Sequence, residues 1–224
     1  MSYYRKFKIV IGSPPWRVYL RWAYNRGIKD LTKLKFKPLF NKKDFTALLC
    51  GVGNEVTADE FIKFVVKKNS KAKIIIIDMG EEQINAVKNL VESKYSEVDI
   101  QIKKIDALQL NNFISEQSID WIETDGFLEY FNNKNLVNLL KIWAKILKAK
   151  GFITLRDFVN EKSIDKVIDK FRIWLGKKWP GAILFPHSKK EIEDLFKKNS
   201  FIFHSDFTLI PTFKRYSLVK SSMI

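Results

Sequence analysis

The 224-residue sequence predicts an α/β domain built on a mainly parallel sheet. Three observations predict it. From Phe45 onward, short apolar runs alternate with helix-like stretches, the pattern of successive βαβ units. The first run ends in Gly51-Val52-Gly53, where a glycine turn leads into a helix. The last two apolar runs, 201–209 and 213–219, have only a short turn at Pro211 between them and read as an antiparallel hairpin.

Each element has its own warrant. FTALLCG (45–51) is the first strand, and the capping-box pattern Thr57-Ala58-Asp59-Glu60 places the next helix start near Thr57. KIIIID (73–78) is the second strand, followed by a helix over Glu81–Lys94. VDIQIKKID (98–106) alternates as a third strand should, and IDWIET (119–124) is a fourth. Leu136, Leu139, Leu140, Trp143 and Leu147 form a helical stripe over 135–148. GFITLRDF (151–158) is the fifth strand, and residues 159–187 read as irregular. Ser188-Lys189-Lys190-Glu191 is a second capping box and opens a helix to about Lys198.

Composition narrows the function classes. Six Trp, seven Tyr and 18 Phe argue against disorder, and the apolar runs are too short to cross a bilayer. The basic opening is followed by only a short apolar stretch, which does not read as a signal peptide, and the expected compartment is the cytoplasm. Cys50 is the single cysteine, so no intramolecular disulfide forms, and no Cys/His/carboxylate spacing suggests a metal site. Net charge is +15, with 33 Lys against 7 Arg, and it is concentrated at the two ends. Residues 1–44 carry a net +10, residues 45–161 a net −2 and residues 162–224 a net +7. This separates 1–44, a basic aromatic helical cap, from a ligand-binding domain over 45–224.

The chemistry sits at strand ends. Glycines at 51 and 53 let backbone approach a ligand at a helix N-terminus, while Val56 stands where a dinucleotide fingerprint needs a third glycine. Asp78 ends the second strand, where an acid can accept hydrogen bonds from a ribose diol. In order and spacing, Leu48–Gly53, Asp78–Ile84, Asp106-Ala107, Asp120–Tyr130 and Ile146–Gly151 resemble the motifs of class I S-adenosylmethionine-dependent methyltransferases. The resemblance implies a seven-stranded Rossmann-like sheet with helices on both faces, closed by the C-terminal hairpin. It implies S-adenosylmethionine as cofactor, contacted by Gly51, Val52, Gly53, Asp78, Met79, Asp106, Ala107 and Thr124. The sequence departs from the family at Leu49, where an acid is usual, and at Glu55, where a third glycine is usual.

Candidates for catalysis are Asp125 and Tyr130 after the fourth strand, Arg156 at the end of the fifth, and His187. Ser13-Pro14-Pro15-Trp16, after the strand-like KFKIVIG, resembles the motif of amino-group methyltransferases that act on nucleic-acid bases. The same residues are a good helix start, with Ser at the N-cap and Pro after it. A helix over about 16–28 interleaves Arg17, Arg21 and Arg26 with Trp16, Tyr19, Trp22 and Tyr24. That mixture suits nucleic acid as well as packing on the sheet. Three functions remain open: a small-molecule methyltransferase, which is favoured, an RNA methyltransferase gripping phosphates with its basic ends, and a non-catalytic cofactor-binding or interaction module. No membrane partner is expected.

Overall fold

Runs of branched aliphatic residues with turn residues between them become the centre of one sheet. The computed structural model describes residue 4 and residues 11–178, 182–210 and 212–221. Among these, helix α1 (Pro14–Asp30) precedes β1 (Thr46–Cys50), α2 (Glu55–Lys68), β2 (Lys73–Asp78), α3 (Glu81–Lys94) and β3 (Ile100–Lys104). Then come β4 (Ile119–Asp125), α4 (Asn133–Ile146), β5 (Leu147–Phe158), α5 (Ser163–Lys178), α6 (Lys189–Lys198), β6 (Phe201–Phe207) and β7 (Phe213–Lys220). The strand order is β3-β2-β1-β4-β5-β7-β6. Strands β1 to β5 pair in parallel, and β7 lies antiparallel between β5 and β6. The predicted fold class is therefore the observed one.

Side chains alternate between two buried layers, as the period of a strand requires. Leu48, Cys50, Ile75, Ile77, Ile122 and Ile153 face α4 and α6, while Ala47, Leu49, Ile74, Ile76, Trp121 and Phe152 face α1, α2 and α3. Trp121 anchors the second layer: its ring stacks on Phe152 at 5.6 Å and its indole N–H donates to Thr154 Oγ1 at 2.7 Å. Helix α1 joins this layer through Leu20, Ala23 and Tyr24, and Leu31 follows at its C-cap, so this part of the basic N-terminal segment packs on the sheet.

Several boundaries differ from expectation. Helix α2 starts at Glu55, because Asn54 caps it by accepting from the Val56 and Thr57 N–H groups; Thr57 lies inside the helix. Helix α4 ends at Ile146, and Leu147 already begins β5. The stretch read as irregular contains α5, a helix of 16 residues. Ser13 and the two prolines start α1, with Ser13 extended at the N-cap position. Of KFKIVIG, only Ile11 and Gly12 are described, and Ile11 is helical. The turn residue Pro211 lies outside the described residues. The Ser188 capping box is present as expected.

Candidate active site

Strand β1 has β2 and β4 on its two sides, so chain connections diverge at its C-terminal end and leave a crevice there. The glycine turn lines that crevice. Gly51 has φ +83°, in the left-handed region, and the Phe127 ring lies 2.4 Å from where a Cβ would stand. A Cβ on Gly53 would meet Ile11 at 2.6 Å. Position 51 therefore needs glycine, whereas at 53 the end of the flexible Ile11 side chain can move aside. The Tyr4 hydroxyl donates to Glu55, the first residue of α2, at 2.5 Å.

Asp78 ties the turn to β2. One carboxylate oxygen accepts from the Val52 N–H at 2.6 Å and the other from the Gly80 N–H at 2.6 Å. Burial pushes the carboxyl above its ordinary value, and these donors oppose the shift. Each carboxylate oxygen keeps a second acceptor direction. Met79, beside it, is 65% exposed and offers an apolar surface. Asp106 caps the short 3₁₀ turn Ala107–Asn112 by accepting from the Leu108 N–H, and Ala107 is buried beneath it. Thr124 is fully buried, and its hydroxyl donates to the Cys50 carbonyl at 2.6 Å. Its side chain thereby props the end of β1 where the glycine turn begins.

The acid missing at Leu49 has a counterpart one strand away. Leu49 is in register with Glu123 on β4, and register neighbours share a sheet face. Glu123 is fully buried, and burial pushes it up to about 7 against the opposing charge of Arg156. Arg156 is 1% exposed and pairs with both Glu123 and, at 3.1 Å, Asp125. The Arg156 N–H groups and the Asp125 oxygens meet as an ion pair but are poorly aligned for hydrogen bonding to one another. Burial raises the Asp125 carboxyl, with Arg156 opposing. The guanidinium carbon lies 5.3 Å from the Tyr24 ring centre, so α1 roofs this cluster. Buried polar atoms without aligned partners, at the C-terminal end of β4, are what a bound polar group would satisfy.

The loop after β4 is held by Asp157, which the sequence already places with Arg156 at the crevice end of the fifth strand. Asp157, next to Arg156, accepts from the Phe127 N–H at 2.8 Å and the Leu128 N–H at 2.6 Å. Its position at a strand end was the available signal. Tyr130 lies at the rim of this loop, 37% exposed. His187 lies in the loop before α6 but is buried rather than at the surface. It is 1% exposed, its Nε2 lies 3.0 Å from the Phe131 carbonyl, and burial lowers its pKa. That geometry makes it a brace between chain segments.

Two of the α1 arginines face acids of α2. Arg17 donates to Asp59 at 2.7 Å and to Glu60 at 3.0 Å, and Arg21 lies 3.5 Å from Glu60. Among the described residues one group, Asp30, His204 and Asp206, has ligand-like spacing. Arg215 already joins Asp30 (2.6 Å) to Asp206 (3.1 Å), and the Lys33 ammonium lies 3.0 Å from His204.

A methyltransferase-domain family model matches residues 47–200. Among solved structures, the PH0226 protein from Pyrococcus horikoshii OT3 superposes with a TM-score of 0.65 at 14% identity, covering 98% of each chain. The magnesium protoporphyrin IX methyltransferase from Synechocystis PCC 6803, with bound SAH, gives 0.62 at 14% identity over 91% of this chain and 84% of that one. The YcgJ protein from Bacillus subtilis gives 0.61 at 17% identity over 82% and 71%. No curated protein sequence matches the chain.

Proposed function

The chain belongs to the methyltransferase-domain family, and from that membership we propose that it is an S-adenosylmethionine-dependent methyltransferase acting on a small polar molecule. The observation that carries the cofactor assignment is Asp78, a buried carboxylate fixed to the glycine turn by the Val52 N–H. In this arrangement Asp78 accepts from the ribose hydroxyls, Met79 and Ala107 flank the adenine, and Asp106 stands at its edge. Gly51 and Gly53 allow the backbone close to the methionine portion, and Glu123 supplies the carboxylate that Leu49 lacks. When bound, S-adenosylmethionine supplies an activated methyl group.

The protein's own task is alignment, since a nucleophile must be held about 3 Å from the transferred carbon. Asp125 and Arg156 are the groups we assign to the acceptor, because their buried oxygens and N–H groups are not aligned with partners inside the protein. Asp125 accepts a hydrogen bond from the acceptor and orients its nucleophilic atom, and Arg156 fixes the position of Asp125. The roof formed by α1 favours a small molecule over a polymer, as does the pairing of Arg17 and Arg21 with acids. The Synechocystis relative, by its name, acts on a porphyrin rather than a macromolecule.

Calorimetry with S-adenosylhomocysteine tests the cofactor assignment. Asp78→Ala should bind it more weakly by roughly 1.5–3 kcal/mol, the value of hydrogen bonds to a charged group. No binding by the intact chain, or equal binding by the variant, would reject the assignment. Methyl-labelled S-adenosylmethionine offered separately to a small-metabolite extract and to total RNA tests the acceptor class, and label entering RNA would reverse it.

A further inference from the structure

Helix α5 is amphipathic in the inverted sense. Ile164, Val167, Ile168, Phe171, Trp174 and Leu175 recur at helical spacing and form a single stripe. All six face solvent, with Phe171 62% and Trp174 53% exposed. The side facing the protein is polar: Asp169 is 1% exposed, and Arg172 reaches Asp169 at 2.9 Å and also Glu129. The Phe171 and Trp174 rings stack on each other at 5.8 Å between centres, out in solvent. A helix bound to its own domain through an ion cluster, with its aromatics outward, is oriented for a second apolar phase.

Charge identifies that phase. Lys166, Lys170 and Lys177 are exposed and, at their spacing along α5, line one edge of the apolar stripe. The Lys178 ammonium lies 4.9 Å from the Trp174 ring centre. A row of lysines beside aromatic and branched aliphatic side chains is the composition of a helix that lies in a bilayer interface. A second copy of this chain would bring two molecules of net charge +15 together, which their repulsion opposes. We propose that α5 docks the protein on an anionic membrane surface, its apolar stripe in the headgroup region and its lysines on lipid phosphates. No described helix is long and apolar enough to cross a membrane. The sequence reading set a membrane partner aside for want of a bilayer-length run, but a helix lying in the interface needs none. Because Arg172 links α5 to Glu129 in the loop after β4, docking brings the strand-end crevice close to the bilayer.

Flotation of the full chain with vesicles tests the proposal without reference to activity. Vesicles of phosphatidylcholine containing about one third phosphatidylglycerol should carry the chain upward, and pure phosphatidylcholine vesicles should carry far less. The double variant Phe171→Ser/Trp174→Ser should partition about tenfold less, and Lys166→Glu/Lys170→Glu should fall by a similar factor. These side chains are exposed, so circular dichroism and melting should match the intact chain. Failure of the intact chain to float overturns the proposal. Equal flotation by the Phe171/Trp174 variant also overturns it, since general positive charge would then explain binding. A concentration-dependent dimer that the same variant abolishes, with no flotation, would assign the stripe to a second copy instead.

Discussion

At Gly51 two constraints coincide: a φ of +83° and the Phe127 ring where a side chain would begin. Gly51→Ala should cost about 2–3 kcal/mol, from left-handed strain and overpacking together. A urea melt would measure it, and S-adenosylhomocysteine binding should fall with it. Glu123 gives a pH signature. Its folded value of about 7 lies above the ordinary 4.5 of an unfolded chain, so its contribution to stability declines as pH rises from about 4.5 to 7. Glu123→Gln should remove that slope, changing the difference between pH 5 and pH 7.5 by about 1–3 kcal/mol in melts of the two proteins. The glycines and Asp78 were readable because each residue type does there what few others can. The partners of Glu123 and Asp157 were not, because Leu49, Phe127 and Leu128 are their neighbours only across strands or loops.

Helices α1, α2 and α3 meet at one carboxylate. Asp59 accepts from Arg17 of α1, Lys63 of α2, and Lys94 and Tyr95 at the end of α3, all at 2.6–2.7 Å. Burial works to raise its pKa, yet these donors hold it well below the usual carboxylate range. Its contribution is therefore present above about pH 4 and lost as pH falls. Asp59→Asn should cost about 1–3 kcal/mol at neutral pH, a cost that shrinks only as pH falls well below the usual carboxylate range, as paired chemical melts would show. Elements whose apolar pattern faces their own core were legible: KIIIID and Glu81–Lys94 have the predicted limits. Helix α5 was not. Its stripe has the right period, but Trp174 and the flanking prolines suggested an irregular connection, and the pattern reports an outward face rather than a core. The end of α4 was overrun because Leu147 continues the helical stripe while starting a strand.

The molecule as a whole is unevenly held. Helix α5 buries only Asp169, whereas the central strands lie between two apolar layers. Amide hydrogens of 167–178 should exchange within minutes by mass spectrometry, while those of 74–77 and 121–124 should wait for global unfolding. Comparable protection in both regions would contradict this division. Strand β7 has a different bearing on the whole. It is hydrogen-bonded to β5 on one side and β6 on the other, and its Ser217 hydroxyl donates to the Gly27 carbonyl of α1 across 190 residues. During synthesis on the ribosome, β1 to β5 and α1 emerge well before the strand that completes them. Until 213–220 are out, β5 has a bare edge and α1 lacks one of its fastenings, a state open to pairing with other chains. A nascent chain stalled ahead of β7 should therefore engage chaperones, and a single stop codon before Phe213 should loosen the first helix as well as remove the last strand.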